Sequence, residues 1–196
     1  MLPDPAEKKR KRLISLFIVA VMVMSAAGFM IDYAFKDKLE YNGFKFTQEQ
    51  NGFVTSLAGK KIAFNYYPTQ LESLNISSGA MEAIKPAKMI GVSYDPSSYL
   101  VESMAQLQYY LDTSLPELFD IFVQKGLTNN TGYDIPELGC ENATAATPII
   151  VFAEAGENET EQVLYENNCL TFKANSEQEL VMQTERIVYG LAGIIK

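Results

Sequence analysis

The chain has 196 residues, 47% of them hydrophobic, a formal net charge of −8, and neither histidine nor tryptophan. That length suits one domain of ordinary size with a real core. Lacking histidine, it lacks the commonest general base and metal ligand, and its acidity disfavours nucleic acid as a partner.

The charge is unevenly placed. Residues 1–31 hold five basic residues against Asp4 and Glu7, and the remainder holds eleven basic residues against twenty-two acids. Lys8-Lys9-Arg10-Lys11-Arg12 leads into 19 residues without a charge, Leu13 to Ile31, ended by Asp32. As a helix that run is about 28 Å long, close to the hydrocarbon thickness of a bilayer. The basic flank places the N-terminus in the cytoplasm. The expected organisation is a cytoplasmic basic tail (1–12), a single-pass transmembrane signal anchor (13–31), a juxtamembrane stalk (32–42) and an extracytoplasmic domain (43–196). One alternative is a cleaved signal peptide, with Leu13–Met24 as its apolar region and Ser25-Ala26-Ala27 as the small-residue site. A core helix of a soluble protein is the other. The anchor and the signal peptide both put residues 32–196 outside the cell membrane.

A β-meander comes next. Phe44 and Phe46 alternate with Lys45 and Thr47. Asn51-Gly52 reads as a hairpin turn whose two residues accept positive φ. Phe53–Leu57 returns, Gly59-Lys60 turns again, and Ile62, Phe64 and Tyr66 mark a third strand that Pro68 ends. Ser78–Ile84 reads as a short helix and Lys88–Tyr94 as a strand. Asp95-Pro96 has the form of an N-cap followed by proline in the first helical position. Leu100, Met104, Leu107 and Leu111 then line one helix face, and Leu118–Gln124 reads as another helix. Residues 126–147 are a long loop. Pro148–Phe152 is a β-branched strand. Gln162–Tyr165 and Cys169–Phe172 are further strands, with Asn167-Asn168 at a turn. Ser176 and Glu179 form a capping box that opens a last helix with Leu180, Ile187, Leu191 and Ile194 on one stripe. That stripe is expected on the sheet containing Ile149–Val151 and Cys169–Phe172. The fold class is α+β (or α/β): a meander, then a mixed sheet packed with three or four helices.

The two cysteines, Cys140 and Cys169, both lie beyond the anchor and no CxxC is present. In an oxidising compartment they read as one disulfide; two buried thiols are the alternative. N-x-[ST] sequons occur at Asn75, Asn129, Asn142 and Asn158, and mark glycosylation sites of a glycoprotein. No GxSxG, Walker A or GxGxxG is present. Twenty-two acids beyond the anchor supply many carboxylate pairs and single out none. Tyr94-Asp95-Pro96-Ser97-Ser98 sits at a strand–helix junction, where ligands often bind, though a helix cap explains it as well. Tyr109-Tyr110 suits packing better than a binding platform. Arg186, the one arginine beyond the anchor, stands beside Glu185 and is expected to make a structural ion pair with a carboxylate, anion binding being the alternative. No catalytic, cofactor-binding or metal residue is assigned, and no cofactor is expected.

Cys140, Pro148–Phe152, Asn168-Cys169-Leu170 and Glu185-Arg186-Ile187-Val188-Tyr189-Gly190, ending near Gly193-Ile194, carry a resemblance to uncharacterised short archaeal membrane-anchored extracytoplasmic proteins. It covers roughly the last 60 residues plus the layout of basic start, anchor and acidic outer domain. The resemblance implies an archaeal cell-envelope protein and no catalytic residues. The expected function is a non-enzymatic one: a membrane-tethered binding or structural module of an envelope assembly, with a protein partner and no nucleic acid. A pilin-like filament subunit is one alternative, although the Gly or Ala that a prepilin peptidase needs after a basic residue is missing. A histidine-free hydrolase using carboxylates is another.

Overall fold

The computed structural model describes residues 14–25, 38–57, 59–156 and 162–196. The basic tail, part of the candidate anchor and Asn158 lie outside them. The chain divides into two units, Met1–Lys38 and Leu39–Lys196. In the first, residues 14–25 form helix α1, with every one of these residues exposed. Among the described residues no helix is long and apolar enough to cross a membrane.

The period-two alternation in the second unit produces an antiparallel meander of β1 (Lys38–Tyr41), β2 (Phe44–Glu49), β3 (Gly52–Leu57) and β4 (Lys60–Phe64), in that order across the sheet. The end of the stretch read as a stalk is thus a strand. Asn42 (φ 47°) and Gly43 (φ 83°) make the β1–β2 turn, both in the left-handed region a two-residue hairpin demands. At the expected Asn51-Gly52 turn only Gly52 has positive φ, at 139°, and it already pairs with Glu49. A Cβ on Gly52 would collide with the Phe64 carbonyl oxygen, so close approach of β4 also demands glycine there. Phe46, Leu57, Ile62 and Phe64 form the buried face.

Two short helices, α2 (Pro68–Leu71) and α3 (Ser78–Ile84), lead to a second, mixed sheet. Its strands are β5 (Met89–Tyr94), β6 (Phe122–Lys125), β7 (Ile149–Glu154), β8 (Gln162–Glu166) and β9 (Cys169–Ala174), ordered β6-β5-β7-β9-β8. All pairings are parallel except β8 with β9. The Asn167-Asn168 turn is as expected, with φ of 48° and 64°. Helices α4 (Val101–Phe119) and α5 (Glu177–Leu191) complete the α+β fold.

Alternation along the central strands separates two faces. Ile90, Val92, Ile150, Phe152, Leu170 and Phe172 join the main core with the buried faces of α4, α5 and the meander. Ile149, Val151 and Cys169 point the other way, onto Leu138. The loop after β6 therefore covers what the helices do not.

Two expectations about α4 need correction. Asp95-Pro96 does not open it: Asp95 Oδ1 accepts from Ser97 N (2.8 Å) and Ser97 Oγ (2.7 Å), a tight side-chain turn. Ser98 Oγ then accepts from Leu100 N at 3.0 Å, and the helix starts at Val101. Nor is Leu118–Gln124 a helix. Asp120 adopts a left-handed conformation (φ 58°) that stops α4, and Phe122–Lys125 pairs with β5 as a strand. Buried Ile121 before exposed Phe122 is a β alternation, too short to stand out in the sequence.

Helix α5 starts at the expected cap. Ser176 Oγ accepts from Glu179 N at 3.3 Å. The Glu179 carboxylate reaches one residue further back than a standard box, to Asn175 N at 2.6 Å. Its apolar stripe packs on β9, but every residue from Gln183 to Leu191 is buried, because α2, α3, α4 and the meander enclose its other sides. Tyr189 stacks on Phe64 at 4.0 Å between ring centroids and donates its hydroxyl to the Tyr66 carbonyl at 2.8 Å.

Cys140, in a short 3₁₀ turn, and Cys169, at the start of β9, are joined as a disulfide with their Cα atoms 5.2 Å apart. It ties the covering loop to the sheet across 29 residues. Replacing both cysteines with alanine is expected to cost about 3–4 kcal/mol in the chain-entropy account. Urea melts of the two forms measure it; equal midpoints would mean that the loop is held by Leu138 alone.

Candidate functional site

The connection β5–α4–β6 leaves β5 towards one side of the sheet, while β7 lies on the other. The carboxyl ends of β5 and β7 thus flank a reversal of strand order, the place where open parallel sheets leave a crevice for ligands. A cavity of about 300 Å³ lies here, lined by Asp95, Ser97, Ser98, Thr128 and Glu154 among others. The strand–helix junction singled out in the sequence forms one wall. Thr128 and Glu154 come from elements about thirty and sixty residues further on. Their only sequence signal is position, just beyond a strand end.

The crevice is fixed from below and from the side. Gln108, buried on α4, donates its amide to Val92 O (2.7 Å) and Gly126 O (3.0 Å), binding the helix to β5 and to the loop after β6. Thr128 N donates to Tyr94 O at 3.0 Å and continues that pairing. Glu154 Oε1 accepts from Ser98 Oγ (2.5 Å) and from Tyr99 N (2.8 Å), so the end of β7 holds the approach to α4. The Ser97 side-chain hydrogen bond, with that of its backbone N–H, lowers the Asp95 pKa from its ordinary value.

This chemistry is acceptor-rich. Asp95 and Glu154 each spend one oxygen on the turn, leaving the second for a ligand that donates hydrogen bonds. Both serines are held in the turn: each hydroxyl donates to a carboxylate, and Ser98 Oγ also accepts from Leu100 N. Among the described residues no group of three or more His, Cys, Asp or Glu side chains could hold a metal ion.

The other residues singled out in the sequence do not converge on this crevice. Cys140 and Cys169 lie at the opposite end of the strands, since Cys169 pairs with Ile149 at the start of β7. Tyr109 is exposed on α4, while the Tyr110 hydroxyl is buried beside Ser114. Of the sequons, Asn75, Asn129 and Asn142 are exposed. Asn129 and Asn142 use Oδ1 to accept from Thr131 N (3.1 Å) and Gly139 N (2.9 Å), bonds that leave Nδ2, the atom a glycan would take.

The ion pair expected of Arg186 is not made to Glu185 or to any other acidic side chain among the described residues. Successive helix residues diverge by about 100°, so the two side chains leave α5 in different directions. Glu185 accepts from Asn65 N and Nδ2, both at 2.7 Å, and from Tyr66 N at 3.0 Å, clamping the end of the meander to α5. Burial raises its pKa, against the lowering effect of those hydrogen bonds. Arg186 instead donates from Nη2 to the Lys196 backbone oxygen at 3.2 Å.

No family model matches this sequence, and no curated protein or solved structure is detectably similar to it.

Proposed function

We propose that the chain is a membrane-tethered extracytoplasmic module that works by binding, within a cell-envelope assembly, and not by catalysis. The observation that carries the tether is α1. Ile14, Leu16, Phe17, Ile18, Val19, Val21, Met22, Val23 and Met24 are all substantially exposed around its circumference. A helix apolar on every side is a poor solute and calls for lipid or a protein groove. The basic run before it orients the tether, with the tail in the cytoplasm. The disulfide and three exposed sequons support an oxidising, extracytoplasmic address for the second unit. The archaeal envelope follows from the sequence resemblance alone. A binding role for the outer domain is supported by the acceptor-lined crevice and by carboxylates and serines that are engaged in holding loops.

The test is vectorial labelling. A cysteine introduced at Asn51 reacts with a membrane-impermeant maleimide in intact cells, and one introduced at Glu7 reacts only after lysis. The reverse pattern would end this reading. Crosslinking in the native envelope then reports the partner, and a chain that crosslinks only to itself points to a filament.

A further inference from the structure

Glu185 is 4% exposed, yet among the described residues no basic side chain pairs with it. Its donors are all neutral: Oε1 accepts from Asn65 N and Nδ2, and Oε2 from Tyr66 N alone. Those three bonds hold the carboxylate in place but supply no counter-charge, and Oε2 keeps room for another donor. A carboxylate this deeply buried is normally matched by a cation. Burial first, and this charge second, raise the pKa of Tyr66 and of Tyr110 beside it.

The carboxylate does not end in packed core. It lines a cavity of about 310 Å³ between the end of β4, α4 and α5. Glu177, exposed in the first turn of α5, lines the same cavity, and no basic residue does among those described. Ser103 adds a second polar group. It is 9% exposed on α4 and lines the cavity, and its hydroxyl bonds to no protein atom among the described residues. Leu107, Val181 and the ring of Tyr110 complete the wall with apolar surface. The cavity shares no lining residue with the crevice at β5 and β7.

We propose that this cavity binds an alkylammonium ion carried on a small molecule, with Glu185 as its counter-charge and Ser103 as a further acceptor. An ammonium group has three donors and no acceptor, which matches a free carboxylate position beside a free hydroxyl. The apolar wall accepts a short hydrocarbon body, and a tyrosine ring is a favourable neighbour for a cation. Such a wall leaves a bare metal ion short of oxygen ligands. The volume lies at the lower end of the range for small-molecule pockets. The net acidity of the domain draws cations towards the opening, where Glu177 stands.

The test uses the full chain in non-ionic detergent, titrated with n-butylammonium chloride at constant ionic strength. Binding is followed by the amide shifts of Asn65 and Tyr66, which donate to Glu185. Saturation in the millimolar range is expected, with no such shifts from n-butanol, which has the same body and no charge. Glu185→Gln weakens binding by about tenfold or more, the worth of a charged hydrogen bond. Glu177→Gln, at the exposed mouth, weakens it by about two- to fivefold. Should Glu185→Gln fail to fold, Ser103→Leu decides the matter: it fills the cavity from α4, leaves Glu185 in place and abolishes the shifts. Absence of saturation overturns the proposal, as does undiminished binding by Ser103→Leu. Equal shifts from butanol would make the cavity merely apolar, and equal shifts from sodium would make it a site for an inorganic cation; either overturns the alkylammonium ligand. A lysine-containing peptide that binds more tightly than butylammonium would assign the cavity to a side chain of a protein and overturn the small molecule.

Discussion

Removal of residues 176–196 is expected to leave a chain with no cooperative melting transition. The deleted segment contributes Leu180, Ile187, Val188, Tyr189, Leu191, Ile194 and Ile195 to the main core, each no more than 7% exposed. At about 1.5–3 kcal/mol per buried apolar side chain, their loss is on the order of 10–20 kcal/mol. A domain of this size is stable by about 5–15 kcal/mol in total. The deletion also exposes Phe64 of the meander and Phe172 of the second sheet, both buried in that core. Circular dichroism during heating and amide exchange on the truncated chain provide the check. A sharp transition with slow-exchanging amides in β5, β7 and β9 would show that the second sheet folds without α5 and that the helix is an appendage.

Tyr189→Ala is expected to cost about 3–5 kcal/mol, the largest effect of any single substitution at this interface. The ring is fully buried, stacked on Phe64 and edge-on to Phe46 at 6.2 Å, so truncation leaves a cavity between α5 and the meander. The hydroxyl adds its bond to the Tyr66 carbonyl. Tyr189→Phe, which keeps the ring and removes that bond, is expected to cost only about 0.5–1.5 kcal/mol. Urea denaturation of both variants separates packing from hydrogen bonding, provided the slope of the transition is unchanged. Similar losses in the two would assign the interface to the hydrogen bond and contradict the packing account.

What could be read from the sequence follows from the range over which each signal acts. The capping residue Ser176, the Asn167-Asn168 turn and the short helix Ser78–Ile84 are local, and all are where the residues put them. Asp95-Pro96 carried a local signal with two outcomes. Its side chain closed a turn instead of a cap because Ser97 offered it two donors. Phe122–Lys125 is illegible for the opposite reason: four residues contain too little periodicity, and pairing with β5 decides their state. The stripe on α5 located one contact face correctly. Burial of the other faces, Arg186 included, depends on where the meander, α2 and α3 pack, which no pattern within the helix encodes. The crevice was half legible. Asp95, Ser97 and Ser98 stand together in the chain, but Thr128 and Glu154 join them only through the order of strands in the sheet.

That α5 touches both sheets and both short helices has a consequence in time. A ribosome adds about 5–20 residues each second, so the stretch 177–196 takes about one to four seconds. Through that interval the meander, β5, β7 and the β8–β9 hairpin are all made, and none has the surface it will finally rest on. Phe46, Phe64, Phe152 and Phe172 are exposed to one another and to any neighbouring chain. Folding of the second unit is therefore expected to wait for α5 and then to proceed all at once. The nascent chain stays loose enough to be threaded, and it remains prone to association until Tyr189 arrives.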